Sequence, residues 1–572
     1  MMKSSITRPR SSLTLKVYTS RLRSSRNAWL SALILAAFFL LTVSWSFAAR
    51  RERKIESWKP THYGVAITLD EQLKQIVRAR TEITVTTLQN GVSVIDLDFG
   101  ELTVDSVTVD GRLARFNHSA GLLEVRLPKP VGKGTRLVIA VSYHGKPKDG
   151  LVLTNDKDGR PSAVGDNWPN RVHHWIPSLD HPSAKATVTF QITVPAANTV
   201  VANGRLNRVQ TTSKSARTWI YTEAVPIPPY CMIFAAGQFA KLSPAEPTIT
   251  PLEYYVQRSD APLALRGFAP AVPSLKFFSE TIAPYPYEKL ALIIGATQFG
   301  GMENSSAIVF SSTLLNSKPT APLSSTFGIP GSVVGLEAHE IAHQWFGDSV
   351  TGSTWADLWL SEGFATYFAG LFIQRTDGEA AFRVYMKNAA DAYLSYAKQK
   401  RGPIHDTETE DLFKLLNANN YQKGAWVLHM LRSQLGDQNF FQGIRAYYNT
   451  HKDSTATTDD LRAALESASG QDLRQFFSSW IYGAGHPNYE VSWNWNGDKK
   501  LLLVRLKQVQ PEAMFTNHLA LDIVTAKGKQ RLVLTPNAKE HIEEIPLEGA
   551  PSSIEVDPEN AVLKEIAVRP AK

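Results

Sequence analysis

Two histidines four residues apart with a glutamate beside the first, His339-Glu340-Ile341-Ala342-His343, are the most chemically pointed feature of this 572-residue chain. On an α-helix, residues four apart project from nearly the same side, one turn apart, so both imidazoles can reach one ion. Neutral imidazole binds zinc well, at about 2.0–2.1 Å. Glu340 lies on the next face round and can take a proton from water beside the ion without binding the ion itself. Val333, Val334, Ile341, Ala342, Trp345 and Phe346 flank the motif, so the helix is expected to be buried, and charge buried there needs a reason. Nineteen residues after His343 comes Glu362, an acid between Leu360 and Phe364. As a third ligand from a neighbouring helix it completes a two-histidine, one-glutamate set. Three protein ligands leave the fourth position open, which is the catalytic and not the structural zinc arrangement. The expectation is a hydrolase holding one zinc ion per chain on His339, His343 and Glu362, with Glu340 as general base.

Elements of the right kind surround these residues. Apolar positions recur at helical spacing over 334–346, 361–374, 379–398, 423–434 and 459–467. Before them, from Tyr63 to about residue 245, short runs alternate with period two: Tyr63, Val65, Ile67 and Leu69, then Leu137, Ile139, Val141 and Tyr143. Such runs between turn signals predict antiparallel sheets in a sandwich or saddle. After Gly485-His486-Pro487 the alternation returns, in Tyr489, Val491, Trp493 and Trp495, with a hairpin signal at Asn496-Gly497. The fold class expected is multidomain α+β: an N-terminal antiparallel β domain, a mainly helical catalytic domain and a C-terminal β-sandwich, preceded by one transmembrane helix.

Charge bears on partners. The chain carries a net +8, but seven of its cations stand in residues 1–28 with no acid among them, so residues 50–572 carry only +1. The body therefore has no basic surplus for a nucleic-acid partner. Residues 28–49, AWLSALILAAFFLLTVSWSFAA, are uncharged and of bilayer-spanning length. With the basic tail before it, this run is expected to act as a transmembrane anchor or signal sequence. The N-terminus would be cytoplasmic and the catalytic body membrane-anchored and extracytoplasmic, periplasmic or outer-surface, with the lipid bilayer as a partner. Cys231, the single cysteine, excludes an intramolecular disulfide and thiolate metal clusters.

Four segments in order, Gly300-Gly301-Met302-Glu303-Asn304, His339 to His343, Trp355 to Gly363 and Tyr421-Gln422-Lys423-Gly424-Ala425, resemble the motifs of the M1 family of zinc aminopeptidases. Pro284 to Leu290 is also similar to that family, a gluzincin group that includes aminopeptidase N and leukotriene hydrolase. The resemblance implies a thermolysin-like catalytic domain acting on peptides with a free N-terminus. It implies a substrate-binding role for Gly300, Gly301, Met302, Glu303 and Asn304, with Glu303 facing the α-ammonium. It implies that Tyr421 stabilises the oxyanion. The physical reading agrees: glycines let a substrate backbone approach, opposite charges attract strongly in a dry cleft, and a phenol can donate to a developing oxyanion.

Departures are local. The second amine-binding acid of the family is expected at a position occupied here by Trp168, so Asp166 is the substitute candidate. Ser361 stands where the family usually has asparagine, and Ala369 where an acid is common. His173-His174, read as strand neighbours on opposite faces, are not expected to bind metal. The domain divisions expected are a tail at 1–27, the apolar run 28–49, a linker at 50–60, a β domain at 61–245, a peptidase domain at 246–485 and a sandwich at 486–572. An epoxide hydrolase of the leukotriene type and a catalytically inactive, membrane-tethered peptide-binding module are the alternatives. The complete set of His339, Glu340, His343, Glu362, Glu303 and Tyr421 weighs against the latter.

Overall fold

The structure, a computed structural model, describes residues 49–53, 55–316 and 332–570. The basic tail and the apolar run 28–49 lie outside the described residues, except Ala49. Among the described residues no helix is long and apolar enough to cross a membrane. The expected membrane-anchored, extracytoplasmic placement is therefore corrected, and with it the transmembrane helix and the bilayer as a partner: no described element can carry them.

The layout is α+β with more than one domain. In the strand Trp58–Leu69, alternation buries Tyr63, Val65, Ile67 and Leu69 on one face. This strand pairs antiparallel with Ile76–Thr87 but parallel with Ala186–Pro195, inside an eight-stranded sheet. The region expected to be antiparallel thus contains a parallel pair at its centre. A three-stranded sheet (Val92–Asp98, Leu122–Val131, Phe116–Ser119) and a four-stranded sheet (Thr199–Ala202, Phe234–Gly237, Pro161–Gly165, Leu151–Asn155) accompany it. The segment expected as a linker is tied down. Arg53 spans Asp96 and Asp98 at 2.8 and 2.7 Å, Glu52 meets His181 at 3.1 Å, and the first strand already begins at Trp58.

A five-stranded sheet links the β region to the helices, in the order Phe239–Leu242, Leu252–Gln257, Leu290–Ile294, Ala307–Phe310, Gly301–Met302. Its first strand had the periodicity of the N-terminal β region but pairs here with Leu252–Gln257. The strand Leu290–Ile294 is apolar throughout because both its faces are covered. Leu290, Leu292 and Ile294 face the helical core, while Ala291 and Ile293 pack with Val164, Val201 and Ala235 of the four-stranded sheet. At one edge lies the two-residue strand Gly301–Met302, antiparallel to Ala307–Phe310.

The helices Val333–Ala342, Trp359–Asp377, Glu379–Ala397, Gly424–His451 and Thr458–Ser469 follow. Gly424–His451 is interrupted at Gly436, whose φ of 76° no helical residue adopts. Residues 488–570 form a four-stranded and a three-stranded sheet. Leu502, Val504 and Leu506 from one, and Leu519, Leu521 and Ile523 from the other, join the same core as the helices.

One crossing positions the site. Gly363 meets Gly424 so closely that a Cβ on Gly363 would lie 3.0 Å from the Gly424 backbone and 3.1 Å from the Asn420 carbonyl. Backbone cannot swing aside as a side chain can, so the helices would have to part. Gly363→Ala is expected to lose about 1–3 kcal/mol of stability, read from the urea midpoint at unchanged slope. A wild-type midpoint would show that the crossing has slack.

Candidate active site and metal centre

Ser332 caps the first ligand-bearing helix, its hydroxyl accepting from the Gly335 N–H at 3.0 Å. That helix carries His339 and Glu340, with His343 at its C-terminal cap. The second, Trp359–Asp377, presents Glu362 in its first turn, where an acid suits the helix dipole. All four side chains are buried. The Nε2 atoms of His339 and His343 stand 3.0 Å apart, and each lies 3.3 Å from Oε2 of Glu362.

These three atoms fit a small divalent transition metal. Bonds of about 2.0–2.1 Å in tetrahedral geometry separate neighbouring ligand atoms by about 3.3 Å, and the observed spacings match. Nδ1 of His343 lies 3.1 Å from the Phe346 carbonyl, which can only accept. Nδ1 therefore carries the proton, and Nε2 turns its lone pair toward the other two ligand atoms. Oε2 of Glu362 is buried with no hydrogen bond. The cluster favours positive charge. Burial alone would raise the Glu362 carboxyl, but His343 and His339 hold it at about 2. Burial alone would lower His343, but Glu362 pushes it up to about 10. His339, lowered to about 4 by burial and by His343, stays neutral.

Around the cluster stand the other expected residues. The Tyr421 ring stacks on His339 at 5.9 Å between centroids and 10° between planes. Its segment Asn419–Lys423 is a π-helical turn running into the helix Gly424–His451, a local widening often found at functional sites. Burial first, then Glu362, raises the Tyr421 phenol, so it keeps its proton. Single carboxylate oxygens of Glu303 and Glu340 and a ring nitrogen of His343 lie within 4.8 Å of one another. Burial raises both carboxyls, that of Glu303 to about 7, with His343 opposing. Gly301 makes room for the base: a Cβ there would stand 2.5 Å from the Glu340 carboxylate.

The turn residues differ from one another. Gly300 is exposed, Gly301 half-buried and Met302 buried in the edge strand. Asn304 is fully buried and points inward, donating to the Met302 carbonyl at 3.2 Å. Asp166 is buried beside Arg171, 3.3 Å from its guanidinium, and accepts from the Gln298 N–H at 3.3 Å. Its Oδ1 has no partner, and its charge reaches Glu303. Trp168 packs edge-on against Phe299, Trp355 and Phe413. His173 and His174 lie on a short 3-10 turn and not a strand, with His173 bonded to Asp180 at 2.8 Å.

Sequence reasoning treated Ser361 only as a departure. Its hydroxyl sits 3.0 Å from Nδ1 of His343, and Gly347 permits this, since a Cβ there would lie 2.3 Å from that hydroxyl. Ala369 is buried in the helical core and offers the metal cluster nothing polar. The available signal was the glycine four residues after His343, but its target lies on another helix.

A buried group of two helix histidines and a glutamate from a second helix could hold a single metal ion and leave its fourth position free. Residues 59–231 match the peptidase M1 N-terminal domain and residues 268–480 the peptidase family M1 domain. A probable aminopeptidase 2 of Sulfurisphaera tokodaii is 30% identical over 409 residues, 70% of this chain and 51% of that protein. Glutamyl aminopeptidase of Rattus norvegicus is 28% identical over 362 residues, 62% and 38% of the two chains. Aminopeptidase M1-A of Oryza sativa is 31% identical over 379 residues, 63% and 42%. The chain belongs to peptidase family M1, and it matches about half or less of the length of these relatives.

Equilibrium dialysis should give about one divalent transition-metal ion per chain. Glu362→Gln, which removes a ligand charge, should weaken binding at least about tenfold. Wild-type affinity in that variant would take Glu362 out of the ligand set.

Proposed function

We propose that this chain is a zinc-dependent aminopeptidase that removes the first residue from peptides with a free N-terminus. The observation that carries the reading is the meeting of Glu303, on the turn after the sheet edge, with Glu340 and His343 in one buried site. A metal cluster alone would suit many hydrolases. An extra carboxyl buried beside it, with no lysine or arginine paired to it among the described residues, suits a substrate ammonium. These three relatives are named as aminopeptidases, which supports the same reading.

His339, His343 and Glu362 would hold the zinc, which when bound supplies Lewis acidity toward water and the substrate carbonyl. The outer edge of Gly301–Met302, at the end of its sheet, can pair with a substrate backbone strand-wise. Glu303 takes the α-ammonium and so sets the register, with Asp166 adding negative charge from the N-terminal domain. Met302 flanks the first residue, and Asn304 shapes the turn from within. Glu340 accepts a proton from the attacking water as its oxygen bonds to the first peptide carbonyl carbon. Burial raises its carboxyl, which suits it to pass that proton to the departing nitrogen when the C–N bond breaks. Tyr421, kept protonated, donates to the carbonyl oxygen as charge builds there.

The finer division proposed is a β saddle at 61–245, a thermolysin-like peptidase domain at 246–485 and a β-sandwich at 486–572.

Aminoacyl-nitroanilides with free and N-acetylated amines test the reading. Release is expected from the free-amine series only, and it should stop on chelation and return with zinc. Equal cleavage of both series would overturn the amine anchor. Glu340→Gln should lower kcat by about 10²–10⁴-fold, and Tyr421→Phe by about 10²–10³-fold, both with the metal retained. Loss of metal in either would mean that the residue holds the site together and does not act in the chemistry.

A further inference from the structure

Gln344 follows the second histidine ligand directly and is fully buried. Its carboxamide makes four hydrogen bonds. Nε2 donates to the Glu303 carbonyl at 2.8 Å and to Oδ2 of Asp348 at 2.9 Å. Oε1 accepts from the Ser306 N–H at 2.8 Å and, at 3.0 Å, from the Tyr285 hydroxyl, whose one proton is shared with the Lys289 carbonyl. The side chain therefore grips both ends of the turn Glu303–Ser306, much as a neighbouring strand's peptide group would. That turn is otherwise costly. Ser306 has a φ of 59°, a conformation a serine rarely adopts. Outside Gln344 it is held by Ser306 Oγ to Glu223 at 2.9 Å, by the Gly204 N–H to Ser306 Oγ at 2.7 Å, by Lys289 and the Ala291 N–H to the Ser306 carbonyl at 2.7 and 3.0 Å, and by the Asn203 amide to the Ser305 carbonyl at 2.6 Å. Those bonds fix the turn to the β region. Among the described hydrogen bonds, only those of Gln344 tie it to the helix that carries His339 and His343.

We infer that Gln344 is a positioning residue: it sets the distance between the amine-anchoring Glu303 and the metal ligands, and so the place at which a substrate's N-terminus is held relative to the reacting carbonyl. The inference rests on the aminopeptidase reading for what Glu303 binds. Buried groups with every bond satisfied fix a geometry, because each lost bond leaves an unpaired polar atom. An apolar residue at position 344 would leave the Glu303 carbonyl and the Ser306 N–H without their partner, and the turn would be free to shift against the helix.

The paired substitution Gln344→Glu with Asp348→Asn separates positioning from general stability. Gln344→Glu keeps the acceptor for Ser306 and Tyr285 but cannot donate to the Glu303 carbonyl. Asp348→Asn supplies a donor across the 344–348 contact and leaves an oxygen for the Cys231 thiol, which donates to Oδ1 of Asp348 at 3.3 Å. Only the bridge to Glu303 is lost. The probe is L-leucinol against N-acetyl-L-leucinol, which carry no peptide bond to cleave, with binding measured by calorimetry on the zinc-loaded full chain. The preference for the free amine is expected to fall about tenfold in the double variant, roughly the loss of one net hydrogen bond, with wild-type zinc content and a melting temperature lowered by only a few degrees. Asp348→Asn alone should keep the wild-type preference. An unchanged preference in the double variant would overturn the inference, as would a fall matched by loss of zinc. Should the double variant not fold, Tyr285→Phe, which removes one of the two bonds to Oε1, is expected to lower the preference two- to threefold, and no change there overturns the inference. If the wild-type chain prefers leucinol but releases no residue from peptides, the peptidase reading fails and the positioning role stands. If it shows no preference at all, the positioning role falls.

Discussion

Three electron-rich atoms held within 3.3 Å of one another, out of reach of water, are the constraint on which the rest of this structure depends. No fold places two imidazole nitrogens and a carboxylate oxygen like this without cost, since each loses its hydration and faces the others. The surrounding scaffold supplies rigidity. One ligand helix is capped by Ser332, and the other crosses its neighbour at a glycine–glycine contact. The carbonyl of Phe346 and the hydroxyl of Ser361 orient His343 from behind. A cation would repay that cost, and the way Glu362 draws the His343 imidazole upward accords with a site that favours positive charge.

The parts legible in the sequence were those with a local period. The two-histidine spacing, the alternation of Tyr63, Val65 and Ile67, and the helical repeats needed only neighbours within a turn or a strand. Phe239–Leu242 shows the limit: its composition suits either β region, and only pairing with Leu252–Gln257 assigns it to the second sheet. The same holds for the parallel pairing of Trp58–Leu69 with Ala186–Pro195, a contact between residues more than a hundred positions apart. The apolar stretch 28–49 suggests an anchor by its length, its hydropathy and its basic flank; it lies outside the described residues except Ala49, and among those residues no helix is long and apolar enough to cross a membrane.

Within the site, legibility followed chemistry. Ligands and carboxylates announce themselves because few residue types can do their work. Supporting residues do not. Gln344 is a polar residue between His343 and Trp345, just past the end of the helix Val333–Ala342, which hints at a buried bond but not at its partner. Its partners, Glu303, Ser306 and Tyr285, are 38 to 59 residues away, and only the folded chain brings them together. Ser361 had the opposite fault. It stood out as a substitution, yet its hydroxyl reaches the imidazole through space that Gly347 leaves open.

On the proposed reading, charge balance connects the metal cluster to the choice of substrate end. Arg171 lies 3.3 Å from Asp166 but is shared with Asp149 at 2.6 Å, so part of the Asp166 charge still reaches the site. Glu362 and Glu340 together match the two positive charges of a divalent ion. That leaves Glu303, whose carboxyl burial raises to about 7 and whose nearest cationic help is the ligand His343. Once a metal takes the lone pair of His343, that help is gone, and a cationic group on a bound ligand can settle Glu303 in its place. A free N-terminus brings one positive charge to that place. A blocked one brings none and buries the carboxyl against an amide, at a cost of the order of an unpaired buried polar group, about 1–3 kcal/mol or more. On the proposed reading, preference for the chain terminus is thus a consequence of electroneutrality in a dry site. It needs no pocket shaped to exclude longer peptides, only a turn that keeps Glu303 at a fixed distance from the ion.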